Sequence, residues 1–406
     1  MTTTEAALAA APQTPAQWAV RWFAVVAIGA LFASAPIAHV VWHGLLGRDE
    51  ALLPLRTQTK APTPSVTAAL DGSWMAQTEK HLREDAPTTW WLRSAWNELR
   101  YRLGAPRGQD VLVGADEWLF LDYVARPDIA GWRRAARARL AFLAAVRDQV
   151  KAAGAELVIA LVPDKERVHA EKWAPSGVLP PAKSGSYAAA LAEFAEVGIP
   201  AVDLAAAMAA ARAAAPGQDL YYRGDTHWRK EGALAAGAAT AAFLEARFGD
   251  ALGARVPMAL SGLTSTRLIG DIAANLGLAI VDLPDPGFAL VGRRTVPLSL
   301  LADRLAESRE FYGLELVTPT GRVGMFGTDE SAPVWLVGTS FAHENGANAF
   351  ALQHGRAIRT TIAFGASGLE AMAAARPGIR PGMKAKVVLW EIVERGYFDP
   401  QWREPR

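Results

Sequence analysis

The sequence contains no cysteine. Disulfides, thiol nucleophiles and Cys-ligated metal sites are excluded together. A surplus of either charge is also missing, since 42 Lys+Arg stand against 41 Asp+Glu for a formal net charge of +1. The basic excess that draws a protein to a polyanion is therefore absent, and no nucleic-acid partner is expected. Charged residues amount to 20% and hydrophobic ones to 51%. That balance excludes a disordered chain and leaves room for a membrane segment. Tyrosine is scarce, at 7 against 14 tryptophans. We assign most of the indoles to cores or to a membrane interface rather than to sugar stacking. Internal repeats are lacking, and the Ala enrichment is general rather than confined to one tract.

Charge is absent over one long stretch. Trp22 to Trp42 spans 21 residues without Asp, Glu, Lys or Arg, and at about 1.5 Å per residue a helix of that length matches a hydrocarbon core of about 30 Å. Trp18, Trp22 and Trp42 fall near its ends, where indoles favour the headgroup level, and Arg21 marks the N-terminal flank. Ala33-Ser34-Ala35 resembles a signal-peptide cleavage site. Because Pro36 would follow the cut and the apolar run continues past it, an uncleaved anchor is the preferred reading over a cleaved signal. The expectation is a short cytoplasmic tail (1–21), one transmembrane anchor (22–46), and the remainder outside the cytoplasm. Residues 47–104 read as a Pro/Thr-rich stalk and a helical lead-in, with Trp74, Trp90, Trp91, Leu92 and Trp96 as candidate buried positions.

Beyond that point the pattern becomes regular. Apolar runs without alternation at Glu156–Val162, Ala201–Leu204, Val334–Val337 and Val387–Trp390 are separated by helical periods at Trp132–Ala153, Tyr187–Val197 and Lys230–Phe248. Strands of that composition belong to a parallel sheet covered on both faces, so the fold class is α/β with three layers. Residues 252–332 interrupt the rhythm with many Gly and Pro and read as an inserted, partly β segment.

Ligands of open α/β sheets bind beyond the carboxyl ends of the strands. Two sequences fall there. Val334-Trp335-Leu336-Val337 runs into Gly338-Thr339-Ser340-Phe341, and a serine at a strand-to-helix turn exposes its Oγ beside backbone amides, the layout of an acyl-transfer nucleophile. An ordinary turn or cap is the competing reading. Tyr222-Arg223-Gly224-Asp225-Thr226-His227-Trp228 precedes the helix from Lys230. A carboxylate two residues before an imidazole can hold its Nδ1 proton and leave Nε2 free as a base; the alternatives are a helix cap for Asp225 and a structurally bonded His227. His343, three residues after Ser340, competes as the base. No third ligand stands at metal spacing near Asp225 and His227 in the sequence, so no metal is expected.

Gly224-Asp225-Thr226-His227-Trp228 followed by Gly338-Thr339-Ser340-Phe341 resembles the membrane-associated polysaccharide O-acetyltransferases of the alginate type, which carry an SGNH-hydrolase-like domain. The resemblance extends to Asp116-Glu117-Trp118-Leu119-Phe120, Val162-Pro163-Asp164-Lys165, Gly270-Asp271-Ile272 and Trp390-Glu391-Ile392-Val393-Glu394-Arg395. It implies an SGNH-like catalytic domain over 105–400, with the Asp/His block before the Ser block, a permuted order relative to ordinary SGNH hydrolases, and a tail at 401–406. It implies Ser340 as nucleophile, His227 as general acid/base and Asp225 as its orienting carboxylate. Asn345, Asn348, Glu391 and Arg395 are candidates for the oxyanion hole or substrate binding, because the usual SGNH asparagine is not recognisable. No tightly bound cofactor is implied. The implied partners are a polysaccharide acceptor and a multi-pass membrane-bound O-acyltransferase that supplies the acetyl group, in a bacterial inner membrane with the catalytic domain periplasmic. A carbohydrate acetylesterase with the same triad, or a non-catalytic polysaccharide-assembly protein, are the alternatives.

Overall fold

A computed structural model of the chain describes residues 65–84, 87–104, 111–125, 127–174, 176–278, 280–284, 293–318, 321–325, 330–363 and 368–398. The expected anchor at 22–46, the stalk before residue 65 and the tail at 401–406 lie outside the described residues. Among the described residues, no helix is long and apolar enough to cross a membrane.

The described residues divide into two units, those of 65–96 with 281–283 and those of 97–280 with 284 and 293–398. In the first, the expected helical lead-in takes the form of helices Val66–Leu70 and Ser73–Glu84 and the start of Pro87–Arg102. Its expected buried positions are corrected at Leu92 and Trp96, which are 42% and 58% exposed, while Trp74 is half-buried and Ser94 is buried. Helical periodicity marks a stripe but does not say which side of the helix meets other chain. The side chains of Trp90 and Trp91 lie outside the described ones.

The described strands are β1 (Val111–Val113), β2 (Leu119–Leu121), β3 (Glu156–Val162), β4 (Ala201–Asp203), β5 (Met258–Ile269), β6 (Ile280–Pro284), β7 (Arg293–Pro297), β8 (Ala306–Thr318), β9 (Gly321–Met325), β10 (Val334–Gly338), β11 (Ile358–Ile362) and β12 (Val387–Val393). Five of them form one parallel sheet in the order β11-β10-β12-β3-β4. The lack of hydrophobic alternation has a direct cause, because successive residues enter different cores. Val158, Ala160 and Val162 of β3 pack with Trp228, Phe341 and Phe350 on one face, while Leu157, Ile159 and Leu161 pack with Phe142, Tyr187 and Trp390 on the other. Helices Leu204–Ala214, Lys230–Phe248 and Ala347–His354 cover the first face; Ala136–Ala152, Pro181–Glu196 and Leu369–Ala375 cover the second. The helix expected over Trp132–Ala153 is divided at Ala135 into Ile129–Arg134 and Ala136–Ala152.

Within the interval 252–332, β5, β8 and β9 form an antiparallel sheet. A third core joins the β1–β2 hairpin to helices Asp271–Asn275 and Leu300–Leu305 through Leu119, Leu121, Ile272, Leu301 and Leu305. The interruption seen in the sequence is thus a second, antiparallel layer.

Candidate active site

β10 ends at Gly338, and the chain turns through Thr339 and Ser340 into a helical segment whose Ala342–Gly346 part is π-helical, followed by Ala347–His354. Single π-helical turns recur at functional sites because they aim side chains that a regular helix would not. The turn is fixed from β12. On that strand Leu389, Glu391 and Val393 share one face by the period of two, and Glu391, fully buried, accepts the Thr339 N–H at 2.7 Å and the Thr339 hydroxyl at 2.9 Å. A Cβ added to Gly338 would come within 2.7 Å of Glu391 Oε2 and 2.8 Å of the Ala342 Cβ, so this close approach requires glycine.

Burial pushes the Glu391 carboxyl up to about 7, although the Thr339 hydrogen bonds pull it down. The folded value lies above the ordinary 4.5, so the folded chain holds the extra proton between these values. Stability therefore falls as pH rises through that window, by on the order of 3 kcal/mol in all. Glu391→Gln is expected to flatten that slope in denaturant titrations across the same window; a slope identical to that of the wild type would place the titrating group elsewhere.

The 222–228 loop approaches the turn from the other side. Ser340 Oγ lies 2.8 Å from His227 Nε2, and His227 Nδ1 lies 2.7 Å from Asp225 Oδ1. Asp225 and His227 are 1% and 7% exposed, whereas Ser340 is more open. The structure thus brings together the three residues singled out in the sequence, at the carboxyl rim of the sheet. His343 is exposed and is not the partner of Ser340 in this line. Phe341 backs the imidazole, with ring centroids 4.6 Å apart.

Several groups hold the loop in place. Lys165, buried after β3, donates to the carbonyls of Leu119 (2.7 Å), Arg223 (2.6 Å) and Asp225 (3.1 Å), which uses all three ammonium protons. Burial pushes the lysine down to about 7. From the insertion, Asp271 donates its N–H to Asp225 Oδ2 (2.6 Å), and its carboxylate accepts the Thr226 N–H (2.7 Å) and hydroxyl (2.5 Å). β8 adds Glu307, which accepts the N–H groups of Arg223 (2.9 Å) and Gly224 (2.6 Å), and Arg309, which ion-pairs with Asp225 Oδ2. Glu307 and Arg309 share a face of β8 because they are two residues apart.

Asn345 and Asn348, expected as oxyanion donors, have another occupation. Asn345 Nδ2 donates to the Glu310 carbonyl at 2.6 Å, its Oδ1 accepts the Tyr312 N–H at 3.3 Å, and Asn348 Nδ2 donates to the Tyr312 carbonyl at 2.7 Å. Both amides satisfy the backbone of β8 and dock the insertion on the serine-bearing helix. The positive φ of Asn345, 67°, suits an asparagine, one of the few non-glycine residues that enter the left-handed region readily. Arg395 follows β12 and reaches Thr226 Oγ1 (3.4 Å) and Asp164 Oδ1 (3.5 Å), with its guanidinium 5.2 Å from the Phe341 ring centre. Below it, Asp164, Lys183, Arg167 and Glu394 form a buried ionic network. Burial pushes the Glu394 carboxyl up, but Lys183 and Arg167 more than offset this and hold it at about 2.

The expectation that no third ligand approaches Asp225 and His227 is also corrected, since oxygens and nitrogens of Asp225, His227 and Asp271 lie within 4.8 Å of one another. These atoms are already engaged: His227 Nδ1 with Asp225 Oδ1, and Asp225 Oδ2 with the Asp271 N–H and the Arg309 cation. A second cation there would be placed against Arg309. Sequence reasoning missed Arg309, Glu307 and Lys165 as parts of the site; the first two lie in the insertion, well beyond its one motif at Gly270-Asp271-Ile272.

Over residues 111–394 the chain matches the family described as SGNH hydrolase-like domain, acetyltransferase AlgX. It is 28% identical over 368 residues to a probable alginate O-acetylase AlgJ of Pseudomonas syringae pv. tomato, covering 86% of each chain. It is 27% identical over 354 residues to a probable alginate O-acetylase AlgJ of Pseudomonas putida, covering 82% of this chain and 84% of that one. The solved O-acetyltransferase domain of Pseudomonas putida AlgJ superposes with a TM-score of 0.54 at 25% identity, covering 72% of this chain and 96% of that chain. With a parallel sheet of SGNH type and a family match over most of its length, the chain belongs to the SGNH hydrolase-like acetyltransferase AlgX family and is an O-acetyltransferase.

Proposed function

We propose that the protein is a membrane-anchored enzyme that acetylates hydroxyl groups of an extracytoplasmic polysaccharide of the alginate type, with Ser340, His227 and Asp225 as its catalytic triad. The supporting observation is the unbroken line from Ser340 Oγ through the His227 ring to Asp225, with spacings of 2.8 and 2.7 Å. His227 Nε2 takes the Ser340 proton as Oγ bonds to the carbonyl carbon of an acetyl donor, and the carbonyl π pair moves onto oxygen. Ser340 opens the helical segment after β10, where first-turn amides lack intrahelical acceptors, so its own N–H is directed to that oxyanion. Collapse breaks the bond to the leaving oxygen or sulfur, which departs with the proton from His227. The acetyl group then rests on Ser340. An acceptor hydroxyl gives its proton to the same nitrogen, attacks the acetyl carbon and releases Ser340.

A donor on the far side of a membrane is supplied by a multi-pass O-acyltransferase partner, and the Trp22–Trp42 stretch is the anchor that keeps the catalytic domain beside it in the periplasm. Relatives named alginate O-acetylase support the acceptor class. The test mixes the purified full-length chain with p-nitrophenyl acetate and mannuronate oligomers. Oligomers carrying a new acetyl ester by mass spectrometry are expected, and deletion of residues 1–46 is expected to move the protein out of the membrane fraction. Free acetate with unmodified oligomers would make it an esterase, and membrane retention after the deletion would remove the anchor.

A further inference from the structure

Two features of Asp225 set it apart from a carboxylate whose sole task is to orient a histidine. It is 1% exposed, and both of its oxygens are doubly engaged. Oδ1 accepts His227 Nδ1 and the His227 N–H (2.8 Å); Oδ2 accepts the Asp271 N–H and the guanidinium of Arg309. The arginine is itself 7% exposed, lies with its Cζ 5.0 Å from the Tyr222 ring centre, and comes from β8, the long strand of the insertion. The same strand accepts from Asn345 and Asn348 behind the nucleophile and, through Glu307, holds the amides of the histidine loop.

We propose that Arg309 is a positioning residue for acyl transfer, which fixes Asp225 and balances its charge so that His227 is held in line while staying neutral as a base. The assignment rests on the proposed triad. A lone buried carboxylate against Nδ1 would favour the protonated imidazole and narrow the pH range over which Nε2 is free as a base, because opposite charges a few ångströms apart in a water-poor site interact strongly. A guanidinium on the far oxygen makes the Asp225–Arg309 pair neutral overall. Among the described residues, His227 is also faced by Asp271 with Oδ2 3.9 Å from Nδ1, Thr226 and Ser340 by hydrogen bond, Glu391 of β12 beneath the serine turn, and Arg395 beside Thr226. Of these, Asp271 and Glu391 carry negative charge when ionised, and Arg395 lies beyond Thr226, so among the described residues Arg309 is the cation bonded directly to the dyad. Its loss shifts the apparent titration of the Asp225–His227 pair upward, whichever member takes the proton.

The measurement is the pH dependence of kcat/KM for p-nitrophenyl acetate in the wild type, Arg309→Gln, Arg309→Lys and Ser340→Ala. Arg309→Gln is expected to move the acid limb up by about 0.5–1 pH unit and to lower the plateau by about 10- to 100-fold. Arg309→Lys keeps the charge but loses the planar fork, so its limb should coincide with that of the wild type while its plateau falls. A merely structural role would lower both plateaus without separating the limbs. The role is overturned by an unmoved limb in the Gln variant, or by equal limb shifts in both. If the Gln variant is not recovered folded, the Lys variant carries the test alone, since a limb raised by half a unit or more despite a retained cation contradicts charge balance. Wild-type turnover in Ser340→Ala would sink the triad itself, whereas its loss together with an unmoved limb sinks Arg309 only.

Discussion

Replacement of Ser340 by alanine is expected to lower turnover of an activated acetyl ester by at least about a thousandfold while leaving the thermal midpoint within about 2 °C. Ser340 Oγ lies 2.8 Å from His227 Nε2, and removing it takes away the hydroxyl that passes its proton to that nitrogen and forms the bond to the acetyl carbon. The side chain is partly exposed at a turn held by Glu391 and Thr339, and its removal neither opens a core cavity nor strands a buried charge. His227→Ala should cost a similar factor. Asp225→Asn should cost less in principle, because the amide still accepts from the backbone; yet it also deprives Arg309 of its buried counter-ion, so it is expected to lose stability as well as rate. Combining Ser340→Ala with His227→Ala should reduce the rate little further than either alone, since residues acting as one unit are not additive. Retained p-nitrophenolate release with Ser340→Ala, after correction for background hydrolysis, would place the nucleophile elsewhere.

Gly270→Ala is expected to lower the rate by about a hundredfold although residue 270 carries no functional group. Its φ of −67° is ordinary, so alanine meets no backbone penalty. The obstacle is space. A Cβ there would sit 2.1 Å from the Gly224 carbonyl oxygen and 2.7 Å from the Asp225 Cβ, and backbone atoms cannot swing aside as a flexible side chain would. The contact must reopen by roughly 1 Å, which separates the two loops knitted by Asp271 N–H to Asp225 Oδ2 and Ala273 N–H to the Gly224 carbonyl. Displacement of a catalytic group on that scale costs about 10²-fold in kcat, and overpacking costs about 1–3 kcal/mol of stability. Gly185→Ala is the control, since no heavy atom lies within 4 Å of the added methyl and no positive φ is required. Wild-type kcat in Gly270→Ala, with Gly185→Ala also neutral, would mean that the 224–227 loop tolerates movement and that the relay is not held by the insertion.

The parallel sheet was legible because burial of both strand faces leaves a local mark, a run such as Leu157–Val162 with no polar alternation. The Asp225–His227 pair was legible because two residues of loop suffice to fold a carboxylate onto Nδ1, and Ser340 because the turn after an apolar strand exposes its hydroxyl. The bonds of Asn345 and Asn348 were not legible, because their partner is the backbone of β8, some thirty-five residues earlier, and no local pattern marks it. Trp96 and Leu92 were misread because periodicity carries no information about which face finds a neighbour.

By itself, the sequence determined what acts over a few residues: the strands, the helices, the absence of thiol chemistry, the long uncharged stretch at 22–42, and the two motifs that carry the reactive atoms. Only the tertiary structure decided that Arg309 and Glu307, some eighty positions beyond Asp225, return to grip its loop, and that Asp271 and Lys165 complete it. The physical reason is range. Backbone preference and side-chain period are set by immediate neighbours, whereas a buried ion pair depends on where two distant segments cross, and that crossing is set by the packing of the whole core.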